Sequence, residues 1–495
     1  MNTSETLAEA AAPARVERVL AERAFFRAAG APLVLGNDVR LLRDAAENFP
    51  AWLAAIRAAE RCILFECYII DDDEVGREMM GALADRARAG VSVRVVYDWL
   101  GSRSFASLRR ALEEAGAQVR CFNPPRLDSP FGWLSRDHRK MIAIDGRVGF
   151  AGGLCVSAKW LGNRAKRIDP WRDTGLEIRG PAVAELERAF AEVWRAIGPD
   201  PIPMQELTSP ESIASAGDYG VRVIAGRPSA TGMFRLDQLV ASVAETRLWL
   251  TDAYFVGWAP YVQALRAAAR DGVDVRLLVP GASDIPVVGA LSRAGYRPLL
   301  DAGVRVFEWN GAMLHAKSAI ADTHWARVGS TNLNFASWMS NFELDVAVED
   351  ARFADRMARM YEEDLARATE IVLTRRNRVQ AARAGGRDER IRRAAAASAG
   401  RAAAGALTIG SAVGAALTNR RVLGPAESGL LFKVAMALLV LSAVLVLWPR
   451  VIALPLAALG VWVAVAMLLK ARALRRANRA PARGSRARAA SSGEL

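Results

Sequence analysis

The chain has 495 residues, a net charge of +13 and four cysteines. Residues 371–495 contain 21 Lys and Arg against four acidic residues, which leaves a net charge of −4 for the first 370 residues. A nucleic-acid enzyme would place its basic surface around its site, so this distribution argues against one. The cysteines show no paired metal-type spacing, and they indicate a reduced, cytoplasm-facing environment.

The first part of the chain predicts an α/β unit. Residues 1–35 form a polar N-terminal arm without the hydrophobic core of a signal peptide, so export is not expected. Within residues 36–196, the order is strand (61–70), helix (74–90) and strand (91–98), because β-rich apolar runs flank a segment with apolar positions every three to four residues. Residues 197–217 contain four prolines and are predicted to be a linker.

The second part of the chain repeats the same order. Residues 218–370 contain a predicted strand (248–256), a helix (261–272) and a second strand (273–280). An internal repeat of this length predicts a fold of two similar α/β halves. We expect the halves to pack about a pseudo-twofold axis and to form one catalytic body.

A short motif occurs once in each half. The first copy, DHRKMIAID at 137–145, contains His138, Lys140 and Asp145, and it is followed by Gly152 and Gly153. The second copy, LHAKSAIAD at 314–322, has the same spacing and ends in a Gly-Ser pair. The corresponding residues of the second copy are His315, Lys317, Asp322, Gly329 and Ser330. Two of the chain's three histidines therefore occupy the same position of one template.

The residue types of the motif point to phosphate chemistry. Residues i and i+2 of a strand face the same way, so each histidine is expected to project beside its lysine. Lysine supplies compact positive charge to phosphate oxygens, one neutral imidazole can attack phosphorus, and a second can protonate the leaving alcohol. Ser330 and Asn332 offer hydrogen bonds to phosphate oxygens. This chemistry needs no metal and no cofactor. Asp145 and Asp322 complete the motif and are further catalytic candidates, although they stand at strand ends, where aspartate is also common for local reasons.

The C-terminal quarter predicts a membrane attachment. Residues 371–424 are basic and Ala-rich, residues 425–469 form a hydrophobic hairpin with helices near 429–448 and 451–469, and residues 470–495 form a basic tail. Each hydrophobic stretch has about the length that spans a bilayer, roughly 20 residues. The flanking arginines place both ends of the hairpin, and the body, on the cytoplasmic side of a cell membrane. A re-entrant hairpin and a buried helical pair remain alternatives, and residues 371–424 are either a helix on anionic lipid or a solvated linker.

The duplicated motif resembles the signature of the phospholipase D superfamily, His-x-Lys-x4-Asp-x6-Gly-Ser, over roughly residues 36–370. Stretches such as RDHRKMIAIDGRVGFAGG and MLHAKSAIADTHWARVGSTNLNFASWMSNFELDV are most like the bacterial cardiolipin synthases. The first copy departs from the signature at Gly153, where serine is usual, and at Cys155, where the second copy has Asn332. The departure at Cys155 puts the first half's contribution to phosphate binding in doubt.

The resemblance implies a role for each motif residue. His138 is the expected nucleophile, which forms a phosphohistidine, and His315 is the expected general acid and base. Lys140, Lys317 and Asn332 are expected to bind phosphate. The resemblance also implies that a carboxylate orients the histidine of the opposite half, so Asp173 would pair with His315 and Glu343 with His138.

The implied reaction transfers a phosphatidyl group from one phosphatidylglycerol to another and releases glycerol. The alternatives are a phospholipase D that makes phosphatidic acid, a nuclease, and a lipid-binding protein without activity. Phospholipids and an anionic membrane surface are the expected partners, and nucleic acid is not expected. The acceptor alcohol and the oligomeric state stay open.

Overall fold

The computed structural model describes residues 22–125, 135–373 and 379–381, together with the isolated helical positions 457, 461, 462, 464 and 465. By its contacts the chain divides into two compact units, Met1–Phe122 with Ser135–Ala404, and Asn123–Leu134 with Gly405–Leu495. The predicted hairpin at 425–469 and the basic tail at 470–495 fall outside the described residues, apart from those isolated positions. Among the described helices, none combines the length and the apolar character that crossing a membrane requires.

The first half follows a helix α1 at residues 22–29 and alternates strands with helices. Its elements are β1 (Val34–Arg43), α2 (Asp44–Arg57), β2 (Cys62–Cys67), α3 (Glu74–Arg88), β3 (Ser92–Asp98), α4 (Ala106–Glu114), β4 (Gln118–Phe122), β5 (Lys140–Ile144), β6 (Val148–Gly152), β7 (Thr174–Arg179) and α5 (Val183–Ile197). Strands β2, β3 and β4 are parallel, because a helix crosses over between each pair. The strand–helix–strand order predicted from residues 61–98 is confirmed.

The second half repeats this order after a connection with two 3₁₀ turns, Met204–Glu206 and Pro210–Ser212. Its elements are β8 (Tyr219–Gly226), α6 (Gly232–Val243), β9 (Arg247–Thr251), α7 (Ala259–Arg270), β10 (Asp274–Pro280), α8 (Pro286–Ala294), α9 (Tyr296–Leu300), β11 (Arg305–Trp309), β12 (Ser318–Ala321), β13 (Trp325–Gly329), α10 (Phe335–Met339), β14 (Glu343–Glu349), α11 (Ala351–Leu365), β15 (Ala368–Leu373) and β16 (Val379–Ala381). The last two strands extend the sheet past residue 370, where the sequence predicted the half to end, because β15 pairs antiparallel with β11.

All the described strands form one continuous sheet. Their order is β16-β15-β11-β10-β9-β12-β13-β14-β8-β1-β7-β6-β5-β2-β3-β4. Reading outward from the centre, each half presents the same sequence of strands, beginning with β1-β7-β6-β5-β2-β3-β4 in the first and β8-β14-β13-β12-β9-β10-β11 in the second. The halves meet at the antiparallel pair of β1 and β8, with Val34 opposite Val221. This arrangement is the one that a pseudo-twofold axis between two similar halves produces.

Successive side chains of strands such as β2 point to opposite faces of the sheet and pack into different hydrophobic cores. Leu64 and Val96 belong to a core that also contains Phe190 of α5 and Met357 of α11, so both halves contribute to it. Ile63 and its neighbours on the opposite face of the sheet pack under α2, α3 and α4, and the second half has a corresponding separate core under α6 and α7. Near-continuous apolar strands follow from burial on both faces. The shared core holds the two halves in a fixed relation, which the active site requires.

Candidate active site

The two histidines lie in short segments that directly precede β5 and β12. The backbone of each segment pairs with the other half: His138 N donates to Phe342 O at 2.9 Å, and His315 N donates to Arg172 O at 2.7 Å. Each of these acceptors directly precedes one of the carboxylates that the sequence predicts as partners. The backbone exchange therefore brings the histidine of one half to the carboxylate of the other.

The side chains continue this crosswise arrangement. Nδ1 of His138 lies 2.9 Å from Oε2 of Glu343, and Nδ1 of His315 lies 2.8 Å from Oδ2 of Asp173. Both carboxylates are fully buried, at about 1% exposure or less. A carboxylate that accepts from Nδ1–H fixes the tautomer, so Nε2 keeps its lone pair. The geometry thus leaves Nε2 of each ring for chemistry.

The lysines are buried beside the histidines and differ in what they contact. Nζ of Lys140 donates to the carbonyl oxygen of His138, and Nζ of Lys317 donates to that of His315. Nζ of Lys317 also lies 3.1 Å from Nε2 of His315. In the described part of the chain, no side chain or backbone group bonds Nε2 of His138. Among the described residues, Nε2 of His138 thus has no hydrogen-bond partner, whereas Nζ of Lys317 lies within 3.0–3.1 Å of both ring nitrogens of His315.

Burial governs the protonation of the site. Desolvation lowers the pKa of His138 to about 4, although Glu343 opposes the shift. Desolvation and the nearby Lys317 lower the pKa of His315 to about 3, against the opposing effect of Asp173. Burial also lowers the pKa of Lys317 to about 8. Both imidazoles are consequently neutral near pH 7 in the empty site, which suits a nucleophile.

Ser330 and Asn332, which follow the second motif, differ in whether their side chains are available to bind phosphate. Ser330 Oγ donates to Glu343 Oε2 at 2.5 Å and accepts from Leu344 N at 2.9 Å, so its hydroxyl is already used to hold the carboxylate. Asn332 is 4% exposed, and its Oδ1 has no hydrogen-bond partner among the described residues. The amide N–H groups of Asn332 can donate to phosphate oxygens, whereas the hydroxyl of Ser330 is already engaged, so Asn332 is the better candidate for a phosphate ligand.

Cys155 occupies the position in the first half that corresponds to Asn332. Its side chain is fully buried. All four cysteines are free. The first half thus lacks an amide at this position, and the two halves of the site are chemically unequal.

Asp145 and Asp322 do not join the histidines. Each follows the strand that its histidine precedes, so it lies at the far end of β5 or β12, with a left-handed backbone (φ 57° and 49°). The Asp145 carboxylate accepts from the backbone N–H groups of residues 60, 61 and 62 at 2.8 Å, and Asp322 accepts from those of residues 245, 246 and 247. These contacts give both aspartates a structural role, because each binds the backbone at the start of a neighbouring strand.

Aromatic rings that sequence reasoning did not assign to the site surround the histidines. The ring of Tyr68 lies 4.9 Å from that of His138, and the rings of Trp160, Trp171 and Tyr254 lie 5.1–5.8 Å from that of His315. Trp160 Nε1 also donates to Asp173 Oδ2 at 2.8 Å. Tyr68 and Tyr254 occupy equivalent positions in the two halves, and this repeat could have indicated that they line the site. No comparable repeat in the sequence marked the two tryptophans.

Two buried arginines bind the halves together behind the site. Arg139 Nε donates to the carbonyl oxygen of Glu343 at 3.0 Å, and its remaining groups reach backbone oxygens of α5 and β8. Arg172 forms an ion pair of 2.8 Å with Asp364 of α11. Each arginine is next to a motif residue and crosses to the opposite half, so each stabilises the crosswise pairing.

The assembled site suits attack on a phosphate ester. Among the described residues, it brings together one imidazole nitrogen without a hydrogen-bond partner, a second imidazole beside a lysine, and two buried ammonium groups. Two lysines can neutralise a phosphodiester, and two histidines can serve as nucleophile and as general acid and base. The described residues contain no group of three or more side chains suited to a metal ion.

Comparison with known sequences gives close relatives. The family described as "Cardiolipin synthase, PLD-like domain" matches residues 240–365. "Cardiolipin synthase A" of Pseudomonas fluorescens Pf-5 is 35% identical over 372 residues, which are 73% of this chain and 76% of the relative. "Cardiolipin synthase" of Geobacillus kaustophilus is 33% identical over 353 residues, 70% of each chain.

Comparison with solved structures gives the same fold. The phosphatidylserine synthase of Haemophilus influenzae Rd KW20 superposes with a TM-score of 0.56 at 14% identity. The match covers 70% of this chain and 91% of that one. At such low identity the likeness concerns the fold alone.

Proposed function

Because the chain belongs to the cardiolipin synthase family of phospholipase D-like proteins, we propose that it joins two phosphatidylglycerol molecules into cardiolipin and releases glycerol. The observation that carries the proposal is the reciprocal pairing of His138 with Glu343 and of His315 with Asp173. It provides two oriented imidazoles at one site, as a two-step transfer needs.

In the first step, Nε2 of His138 attacks the phosphorus of one phosphatidylglycerol. The bond from phosphorus to the headgroup glycerol breaks as the new P–N bond forms, and protonated His315 gives its proton to the departing glycerol oxygen. The bound phosphodiester brings a negative charge beside this ring, which favours the protonated form that the empty site disfavours. Lys140, Lys317 and Asn332 would hold the phosphate oxygens.

In the second step, the accepting hydroxyl is a glycerol hydroxyl of a second phosphatidylglycerol. Neutral His315 takes the hydroxyl proton, the oxygen attacks phosphorus, and the P–N bond to His138 breaks. The product is cardiolipin, and both histidines return to their starting state. The assignment of His138 as nucleophile is supported by its Nε2, which no group of the described chain occupies.

Transfer rather than hydrolysis is favoured by the burial of the reacting groups. His138 and His315 are 8% and 4% exposed. A site that limits water protects the intermediate until a lipid hydroxyl arrives. Both substrates are lipids, and we place the protein at the bacterial cell membrane with its catalytic body on the cytoplasmic side. The charge around the hydrophobic residues 429–469 supports that orientation.

Lipid mass spectrometry of phosphatidylglycerol vesicles incubated with the purified chain tests the proposal. We expect cardiolipin and free glycerol in equal amounts, and neither product from His138→Ala. Phosphatidic acid as the sole product would replace the synthase with a hydrolase. Supplying phosphatidylethanolamine as a second lipid would show whether another headgroup can be the acceptor.

A further inference from the structure

Residues 161–170, which we call the basic loop, form an exposed excursion between the first motif and Asp173. All of them except Gly162 are exposed. The second half has no counterpart of the same length. Asp173 follows His138 by 35 positions, whereas Glu343 follows His315 by 28, so the first half contains seven additional residues. The second half positions its carboxylate without them, so forming the histidine–carboxylate pair does not explain these residues.

The base of the basic loop is held in a defined shape. Asn163 N donates to Ile168 O at 2.8 Å, and Ile168 N donates to Asn163 O at 2.9 Å, which closes a narrow hairpin. Gly162 has a φ of 69°, and a Cβ there would lie 2.5 Å from Ile168 O. Only glycine fits that conformation and that approach. The loop therefore projects its tip from a fixed base.

Both ends of the basic loop touch the catalytic centre. Trp160 directly precedes it and Trp171 directly follows it, with ring centroids 5.1 Å and 5.8 Å from that of His315. Trp160 also bonds Asp173. A surface that contacts the loop's tip thus lies close to the two tryptophans that pack against His315.

The tip carries positive charge and apolar surface together. Arg164, Lys166 and Arg167 are exposed, and no carboxylate of the described residues pairs with their side chains. Asp169 is the one acidic residue of the loop. Leu161 and Ile168, 43% and 47% exposed, flank the cations. Exposed aliphatic groups among unpaired cations match a bilayer interface with anionic headgroups, where cations meet phosphates and aliphatic groups leave water.

We propose that the basic loop docks on the surface of an anionic lipid bilayer and so holds the active site against the membrane that contains its substrate. This inference rests on the proposed function for the identity of the substrate. It adds a contact made by the catalytic body itself, separate from any attachment through the C-terminal quarter.

Protection from trypsin tests docking without reference to activity. The full chain is digested briefly alone, with phosphatidylglycerol vesicles and with phosphatidylcholine vesicles, and cleavage after Arg164, Lys166 and Arg167 is followed by mass spectrometry. We expect at least a roughly fivefold slower cleavage with the anionic vesicles only. Equal cleavage in all three samples would overturn the proposal. So would protection that appears without vesicles as the protein concentration rises, because a second copy would then cover the loop.

A kinetic comparison tests the consequence for turnover. The variant Arg164→Gln/Lys166→Gln/Arg167→Gln is assayed on phosphatidylglycerol in vesicles and on a short-chain phosphatidylglycerol dispersed as monomers. We expect the apparent KM on vesicles to rise roughly 10- to 100-fold, with kcat/KM on monomers within about twofold of the original chain. The variant Leu161→Ser/Ile168→Ser should also raise the apparent KM on vesicles.

The matched control removes three exposed arginines on helices elsewhere, Arg27→Gln/Arg110→Gln/Arg270→Gln, with the same change in net charge. This control should leave the vesicle KM nearly unchanged. An equal loss on vesicles and monomers for the loop variant would mean that the loop acts inside the site, and it would overturn docking. If the original chain turned over neither substrate, the proposed function would fail while the trypsin result would still decide the docking.

Discussion

Glu343, the first residue of β14 in the second half, lies 2.9 Å from Nδ1 of His138 in the first half, and Asp173 of the first half holds His315 of the second. The exchange is reciprocal, so neither half contains a complete histidine–carboxylate pair. Separating the halves would leave a buried imidazole in each without its acceptor. The active site is therefore a property of the packed pair of halves, which explains why one continuous sheet and a shared core join them.

The first prediction concerns the orienting carboxylates. Glu343→Gln keeps the shape of the side chain but offers His138 an amide, which can stabilise the wrong tautomer and cannot balance a developing imidazolium. We expect kcat on phosphatidylglycerol to fall by roughly 10²- to 10⁴-fold with little change in KM. Glu349→Gln, at the other end of the same strand, is the matched control and should keep nearly full activity. Equal activity of both variants would contradict an orienting role.

The second prediction separates the two histidines. With a phosphatidyl ester of a good leaving group such as p-nitrophenol, departure needs no general acid. His315→Asn should then give a burst of about one equivalent of p-nitrophenol and slow turnover, because the intermediate on His138 forms but no base activates the acceptor. His138→Asn should give no burst. A burst from His138→Asn alone would exchange the two roles.

The fold could be predicted from sequence because its signals are local. Apolar strands flanking an amphipathic helix occur at equivalent places in both halves, and the duplicated histidine motif aligns them. The end of the second half was placed too early, at residue 370. Strand β15 lies across this position, and its pairing with β11 is a contact over some sixty residues that no local pattern encodes.

The site was predicted in part. The motif placed His138 and His315, and the family resemblance implied their crosswise partners. Ser330 was expected to bind phosphate, yet its hydroxyl is bonded to Glu343, which depends on the register of β14 against β13. Arg139 occupies a variable position inside the motif, and its three backbone contacts with the opposite half and α5 exist only after the halves pack.

The third prediction tests the inequality of the two halves. Asn332 carries a side-chain amide whose N–H groups can donate to phosphate, whereas the equivalent Cys155 is a buried thiol that offers only a weak donor. We expect Asn332→Ala to lower kcat by roughly 10²- to 10³-fold, as when a transition-state hydrogen-bond donor is lost. Cys155→Ala should lower it by less than about fivefold. Steady-state rates of the two variants measure this difference, with the folded fraction of each matched by circular dichroism. Similar losses of kcat in both variants would mean that the two halves bind phosphate alike.

The fourth prediction follows from the backbone contacts of Asp145. Its carboxylate satisfies three backbone N–H groups, and its backbone is left-handed, which alanine disfavours. Asp145→Ala should therefore lower the free energy of unfolding by about 2–4 kcal/mol, while kcat per folded molecule stays within about threefold of the original. Chemical denaturation and assays below the unfolding temperature measure the two quantities. A large loss of kcat in a fully folded variant would support the catalytic assignment.

The last prediction concerns a buried acid that the proposed chemistry does not use. Asp252 is fully buried, its Oδ1 accepts from Leu333 N at 2.9 Å, and its Oδ2 has no partner among the described residues. Desolvation raises the pKa of this carboxyl to about 7, despite the backbone hydrogen bond and the nearby Lys317. The ordinary value in an unfolded chain is about 3.9.

The sign follows from proton binding. Between about pH 4 and pH 7 the folded state keeps a proton on Asp252 that the unfolded state releases, so this group's contribution to stability is full below pH 4 and is lost as the pH rises to 7. Asp252→Asn mimics the protonated acid and lacks this dependence. The stability of the variant relative to the original chain should therefore increase between pH 5 and pH 7, by up to about 1.4 kcal/mol per pH unit. Thermal unfolding across this range, with Asp271→Asn on an exposed turn as the control, measures the difference. A difference that does not change between pH 5 and pH 7 would show that Asp252 is ionised in the folded protein and that Lys317 compensates its burial.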